Sequence, residues 1–94
     1  MKSKNERLAE ILALGPVVPV LQFHDEETAV NTARALVAGG LPVIEITLRT
    51  PAALQCIRAV AKQVEGAVVG AGTVMTPGMM KDCAEVGSQF VVSP

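Results

Sequence analysis

Short apolar runs alternate with amphipathic segments along the whole chain, and this alternation limits the possible fold more than any other feature. The apolar runs end near residues 23, 48, 72 and 92, so they recur every 20 to 25 residues. Short apolar runs bounded by glycine and proline predict strands, and apolar residues at helical spacing between them predict helices. Strands that alternate with helices pair in parallel through right-handed crossovers. The sequence therefore predicts an α/β fold.

The predicted elements are a leading helix, four strands and three further helices. The leading helix covers residues 5–14 and ends at Gly15 and Pro16. The strands are predicted at 16–23, 42–49, 67–72 and 89–93. This order is a leading helix followed by (βα)3β, and the regular spacing of the strand ends indicates a weak internal repeat of one βα unit.

Three residues are predicted to cap the helices that follow the strands. Asp25 precedes Glu26 and Glu27, a pattern typical of a helix N-terminus. Thr50 and Thr76 are each followed by proline, which is favoured at the first helical position. In the last helix, Met80, Cys83, Ala84 and Val86 form the predicted apolar stripe.

Composition excludes several classes of protein. The chain has 94 residues, enough for one domain at most, and half of them are hydrophobic, which argues against disorder. A net charge of −1 and only two aromatic residues argue against nucleic-acid binding. No apolar run approaches the ~20 residues of a membrane span. Glu6 and Glu10 interrupt the N-terminal segment, which therefore does not resemble a signal peptide.

The two cysteines indicate a reducing compartment rather than a disulfide or a metal site. Cys56 and Cys83 fall in predicted helices, and neither has a histidine or second cysteine at metal-ligand spacing. We interpret both as small buried residues of a cytoplasmic protein. His24 is expected to be exposed in a loop, and Met75, Met79 and Met80 to lie in the core or on a helix flank.

The stretch VIEITLRTP (residues 43–51) places polar side chains on one face of a predicted strand. Glu45, Thr47 and Arg49 alternate there with apolar residues. Alternation alone leaves open whether this face meets water or lines a site. Because helices would cover the apolar face, the polar face points to the other side of the sheet. If the sheet closes into a (βα) barrel, that side is the interior. Arg49 then lies at the carboxyl end of the strand, where barrel enzymes carry their chemistry.

Two interpretations of these charges remain. Glu45 and Arg49 could form a structural ion pair, although four residues of strand separate their Cα atoms by about 13 Å. Alternatively, Arg49 awaits a carboxylate or phosphate and Glu45 transfers protons in a confined site. Thr47 is left without a role.

The third strand offers a further candidate in VVGAGTV (residues 68–74). Alternation places Val69, Ala71 and Thr73 on one face, with the Thr73 hydroxyl at the carboxyl end. Gly70 and Gly72 are consistent with tight packing of the strand against a helix. A dinucleotide-binding loop would need a third glycine, and Met75 stands at that position.

Four stretches, GPVVPVL, ALVAGGLPVIEITLRTP, VVGAGTV and VVSP, together closely resemble the 2-keto-3-deoxy-6-phosphogluconate (KDPG) aldolase family. Members also cleave 4-hydroxy-2-oxoglutarate (KHG). The resemblance implies a (β/α)8 TIM barrel, a homotrimer, no cofactor or metal, and a small 2-keto acid or sugar-acid phosphate as substrate. It also implies class I chemistry, in which a lysine forms a Schiff base and KDPG is cleaved to pyruvate and glyceraldehyde 3-phosphate.

The resemblance implies a role for each candidate residue. Glu45 is similar to the family's general acid/base, which moves protons through water. Arg49 resembles the residue that binds the pyruvate carboxylate, and Thr73 resembles its partner there. Pro94 is expected beside the same pocket.

The chain departs from the family pattern in length. It ends at Pro94, whereas a barrel of this type needs at least about 200 residues. The resemblance places the Schiff-base lysine on the sixth strand and phosphate-binding loops after strands seven and eight. We therefore expect residues 1–94 to form the N-terminal half of one barrel domain, without its nucleophile.

The chain contains four lysines, Lys2, Lys4, Lys62 and Lys81. None is expected to replace that nucleophile, because none is predicted to lie inside the barrel. One alternative is an inactive or designed half-barrel, which would self-associate through its open strand edges. Another is a module that binds carboxylate or phosphate without catalysis.

Overall fold

The computed structural model describes residues 4–14 and 17–94 and confirms the alternation of strands and helices. The elements follow one another as α1 (Lys4–Leu14), β1 (Val20–Leu21), α2 (Glu26–Ala38), β2 (Val43–Thr47), α3 (Ala53–Gln63), β3 (Val68–Gly72) and α4 (Pro77–Glu85).

The strands form one parallel sheet in the order β1-β2-β3, as the crossover rule predicts. Residues 89–92 run beside β3, because the Ala71 amide donates to the Phe90 carbonyl at 3.0 Å and the Val92 amide donates to the Ala71 carbonyl at 2.8 Å. The pairing amounts to one isolated parallel β-bridge, between Ala71 and Val91. The predicted fourth strand is therefore an extended segment rather than a full strand, and it pairs on one side.

The first strand is much shorter than the predicted range of 16–23. Only Val20 and Leu21 pair with β2. Pro19 has no amide hydrogen to donate, although its carbonyl accepts from the Glu45 amide at 3.0 Å. The predicted helix stop at Gly15 and Pro16 lies outside the described residues.

Two of the three predicted helix caps are confirmed. The Asp25 side chain accepts from the Thr28 amide at 2.7 Å, and the Thr76 hydroxyl accepts from the Met79 amide at 3.1 Å. The hydrogen bonds from the Thr28 amide and hydroxyl stabilise the Asp25 carboxylate and lower its pKa.

The third predicted cap is wrong. Helix α3 begins at Ala53, with Ala52 in the capping position and no side-chain cap. The Thr50 hydroxyl instead donates to the Phe23 carbonyl, at 2.6 Å. The Thr50 hydroxyl, which the local sequence assigned to the helix N-terminus, thus forms a tertiary hydrogen bond instead.

The main core lies between the sheet and helices α2, α3 and α4. Ile44 and Ile46 of β2 are fully buried there, as the sequence predicts for the apolar face of this strand. Cys56 and Cys83 are also fully buried as free thiols, and burial raises the pKa of both. The expectation that they act as small core residues is confirmed.

The predicted stripe of α4 is partly wrong. Cys83 is buried and Val86 packs on the core, but Met80 and Ala84 are exposed and Met79 packs on the core instead. Met75 is 66% exposed, also against expectation, because it lies in the loop between β3 and α4.

A second, smaller cluster covers part of the opposite side of the sheet. Ile11 of α1 is buried there with Val43 and Val68, and Val18 and Phe90 pack against them. Val43 and Val68 are the first residues of β2 and β3, so α1 covers the amino end of this inner face. Within the described ranges, no helix is both long and apolar enough to cross a membrane.

Candidate active site at the carboxyl ends of the strands

Glu45 lies at the centre of the inner face of the sheet. Register pairs it with Val20 on one side and Gly70 on the other, so these three residues share a face. Its side chain is half-buried. The carboxylate leans toward the carboxyl end of the sheet, because a Cβ added to Gly72 would overlap the Glu45 Oε2 atom.

Both glycines of β3 make room on this inner face. A Cβ at Gly72 would collide with the Glu45 carboxylate, and a Cβ at Gly70 would collide with the Phe90 ring. The interpretation that they allow tight packing of the strand against a helix is therefore wrong. Phe90 fills the space above Gly70 and forms an apolar floor, while Gly72 leaves space for a carboxylate.

Arg49 follows β2 rather than ending it. The strand stops at Thr47, and Arg49 lies in the next turn with its side chain exposed. Strand β2 ends two residues before Arg49, so the strand alternation that was used to place the Arg49 side chain does not apply to it. In the part of the chain that the structure describes, the guanidinium has no hydrogen-bond or ion-pair partner, so the alternative of a Glu45–Arg49 ion pair is not observed.

Thr73 has the backbone conformation that least suits its residue type. Its φ is +61°, in the left-handed region, although a β-branched residue is strained there. Hydrogen bonds on both sides hold it, from the Leu48 amide to the Gly72 carbonyl at 2.9 Å and from the Val74 amide to the Val92 carbonyl at 3.0 Å. Strain of this kind is characteristic of functional sites.

The predicted face of Thr73 is wrong. Val69 and Ala71 belong to the helix-side core, and the left-handed conformation removes Thr73 from the alternation of β3. Pro94 is exposed, two residues after the Val92 amide that bonds to β3. Since the strands are parallel, Arg49, Thr73 and Pro94 all follow carboxyl ends at one edge of the sheet.

Sequence analysis did not predict the hydrogen bonds that two threonines make at this edge. Thr47, which had no assigned role, is 5% exposed, and its hydroxyl donates to the Leu21 carbonyl at 3.3 Å. Thr50 donates to the Phe23 carbonyl, as described above. No sequence signal distinguishes a threonine that bonds a neighbouring strand from one that caps a helix.

Other candidate groups lie away from this edge. His24 is exposed in the loop after β1, as predicted. Lys62 and Lys81 are exposed on helices α3 and α4, and Lys2 lies outside the described residues. The described ranges contain no group of three His, Cys, Asp or Glu side chains able to bind a metal ion. A cleft of about 190 Å³ between α3 and α4 is lined by Leu48, Thr50, Pro51, Ala53, Leu54, Met79 and Asp82.

The inner face of this parallel sheet carries a carboxylate, and the adjoining turn at its carboxyl edge carries an exposed arginine. This arrangement is typical of barrel enzymes. A sequence model of the KDPG and KHG aldolases matches residues 8–94. The chain belongs to this aldolase family. Helices alternating with parallel strands form part of the family's TIM-barrel fold, as predicted.

Close relatives extend well beyond the length of this aldolase chain. The KHG/KDPG aldolase of Escherichia coli K12 is 50% identical over 94 residues, and the 2-dehydro-3-deoxy-phosphogluconate aldolase of Dickeya dadantii is 47% identical. Both alignments cover 100% of this chain and 44% of the relative. The chain thus spans less than half the length of the curated relatives it matches.

Solved structures of similar aldolases agree with the fold. The KDPG aldolase of Zymomonas mobilis ZM4, crystallised with 3-phosphoglycerate, has a TM-score of 0.89 and 48% identity over 98% of this chain and 43% of that chain. The enzyme of Legionella pneumophila, with pyruvate captured as a covalent carbinolamine, has a TM-score of 0.84 and 40% identity over 89% of this chain and 41% of that chain.

Proposed function

We propose that residues 1–94 form the N-terminal half of one (β/α)8 barrel domain, and that the whole enzyme cleaves KDPG to pyruvate and glyceraldehyde 3-phosphate. It is also expected to cleave KHG. The sequential parallel order β1-β2-β3, continued by residues 89–92, supports this proposal. So does the alignment with less than half of each relative. The enzyme is proposed to be a cytoplasmic homotrimer that needs no cofactor.

The placement of the Glu45 carboxylate carries this proposal. It lies on the inner face, against the Gly72 backbone and above the apolar floor made by Phe90. A carboxylate in a confined site can accept a proton in one step and return it in the next. We assign Glu45 as the general acid/base that acts through water.

The chemistry requires proton transfers both for Schiff-base formation and for cleavage of the C3–C4 bond. A lysine amine adds to the C2 ketone to give a carbinolamine, which loses water to form the iminium ion. Removal of the C4 hydroxyl proton then lets the C3–C4 bond break, and its electron pair forms the enamine of pyruvate with the iminium nitrogen as electron sink. The enamine then gains a proton at C3, and water hydrolyses the resulting iminium ion to release pyruvate and the free lysine. By resemblance the lysine comes from the sixth strand, while Glu45 takes and returns the protons through water.

Arg49 and Thr73 are proposed to bind the pyruvate carboxylate. The planar Arg49 guanidinium suits two parallel hydrogen bonds to a carboxylate, and its lack of a partner within residues 4–14 and 17–94 leaves it available. Thr73 adds a hydroxyl at the end of the neighbouring strand. Pro94 is proposed to border the same pocket.

A chimeric enzyme tests the proposal directly. Residues 1–94 are joined to the part of the E. coli KHG/KDPG aldolase that this chain does not match, and the product is treated with borohydride in the presence of pyruvate. We expect a reduced pyruvate adduct on the E. coli part and release of pyruvate from KDPG. The chain alone should give no adduct. A folded chimera that forms neither adduct nor pyruvate would contradict the proposal.

A second candidate is an inactive half-barrel that self-associates. Val20 on β1 is 60% exposed and Val92 beside β3 is 41% exposed, so apolar side chains lie at both edges of the sheet. Exposed edges of this kind favour pairing with another chain. We expect sedimentation of the 94-residue chain at high concentration to show a dimer or larger species. A monomer under these conditions would exclude this candidate.

A further inference from the structure

We propose that the hydroxyls of Thr47 and Thr50 are positioning groups, which hold the turn carrying Arg49 against β1. This inference rests on the proposed role of Arg49 in carboxylate binding. It assigns a purpose to Thr47, which sequence analysis left without one, and to Thr50, which does not cap its helix.

The first step is the geometry of the two hydrogen bonds. Thr47 donates to the Leu21 carbonyl at 3.3 Å, and Thr50 donates to the Phe23 carbonyl at 2.6 Å. The two donors lie three residues apart in the sequence, with Thr47 before Arg49 and Thr50 after it. The acceptors are the last residue of β1 and the second residue after it.

The second step is that regular pairing is too short to hold this region by itself. Strand β1 pairs with β2 through only Val20 and Leu21. Beyond that point no regular pairing joins the two segments, which continue to α2 and to α3. The threonine hydroxyls extend the connection past the end of the ladder, where backbone hydrogen bonds no longer do so.

The third step is the contrast between Arg49 and its neighbours. Thr47 is 5% exposed, Thr50 is half-buried, and the Leu48 amide donates to the Gly72 carbonyl at 2.9 Å. The turn is therefore tied to both adjoining strands at 47, 48 and 50. Among residues 47–50, only Arg49 presents an exposed side chain.

This arrangement fixes the backbone of a cation whose head group has no partner among the residues that the structure describes. Holding the backbone in place lowers the entropy lost when the guanidinium engages a planar carboxylate. Without the hydroxyls, the turn would have to be ordered at the moment of binding. The two threonines would then act on affinity for the carboxylate without touching it.

The test uses Thr47→Val and Thr50→Val in the chimeric enzyme, which contains the rest of the barrel, since valine keeps the shape and removes the hydroxyl. Backbone and arginine-Nε ¹⁵N relaxation report the motion of Arg49. We expect its backbone order parameter to fall from about 0.85 toward about 0.6 in either variant. Arg58 on α3 should be unchanged. Thr47→Ser and Thr50→Ser, which retain a hydroxyl, should restore the value, and this rescue separates anchoring from general damage.

A pyruvate titration followed through the Arg49 Nε signal measures the consequence. We expect the dissociation constant to rise about three- to ten-fold in the valine variants. Thr28→Val, which loses a 2.9 Å hydroxyl bond to Asp25, is the matched control and should stay within two-fold. Unchanged order parameters in both valine variants would overturn the inference. The Arg49→Gln variant has no Nε signal and is titrated through its backbone amide shifts. If it binds pyruvate as the wild type does, the proposed role of Arg49 fails instead, and the relaxation result still decides the anchoring.

Discussion

Replacing Glu45 by glutamine should lower the kcat of the chimeric enzyme for KDPG cleavage by about 10²- to 10⁴-fold, the usual range for loss of a general acid/base. Glutamine has nearly the same size and can occupy the space over Gly72, but it cannot accept the proton. Since the proposed carboxylate-binding residues, Arg49 and Thr73, are unchanged, we expect KM to change only a few-fold. The measurement is coupled pyruvate release under saturating substrate.

Two controls separate the chemistry of Glu45 from its placement. Glu65→Gln changes an exposed glutamate after α3 and should leave kcat within two-fold. Gly72→Ala keeps the Glu45 carboxylate but pushes it from its position, because the new Cβ would overlap it. We expect this variant to lose activity as well, by a smaller factor than Glu45→Gln. A kcat for Glu45→Gln within three-fold of the parent chimera would remove Glu45 from the mechanism.

Replacing Ile57 by alanine should destabilise the chain by about 2 to 5 kcal/mol. Ile57 is 0% exposed and packs in the core between the sheet and the helices, so truncation leaves a cavity that the surrounding side chains cannot fully close. Domains of this class have total stabilities of about 5 to 15 kcal/mol, and the loss therefore takes a large share. Urea unfolding followed by circular dichroism gives the free energy of unfolding.

The neighbouring Arg58→Ala is the matched control on the same helix. Arg58 is exposed, and its replacement should change the free energy of unfolding by no more than about 0.5 kcal/mol. If Ile57→Ala does not fold, Ile57→Val should still cost about 1 kcal/mol and keeps the comparison possible. Equal unfolding midpoints for Ile57→Ala and Arg58→Ala would contradict the described core.

Sequence analysis succeeded where a local pattern has one physical solution. Asp25 and Thr76 cap their helices because a short polar side chain before a helix can bond the free amides of its first turn. Ile44 and Ile46 are buried because a strand presents alternate residues to one face. The family was identified from motifs in a fixed order, which the family match over residues 8–94 confirms.

Sequence analysis failed where a residue had two possible partners. Thr50 could cap α3 or bond the end of β1, and the Phe23 carbonyl lies within reach only once both segments are folded. Gly70 and Gly72 could face helices or the inner side, and the neighbours that require them there, Phe90 and Glu45, are distant in sequence. The conformation of Thr73 is similarly imposed by the hydrogen bonds on either side of it.

The sequence by itself determined the class of fold, the parallel sheet and the side of β2 that carries Glu45, because hydrophobic periodicity and strand alternation are local properties of the chain. Only the tertiary structure decided where the polar groups of the site stand. The Glu45 carboxylate lies over Gly72, Arg49 lies in the turn after the strand, and the Thr47 hydroxyl donates to a carbonyl of β1. Each of these depends on contacts between segments 20 or more residues apart, and such contacts exist only after the sheet has formed.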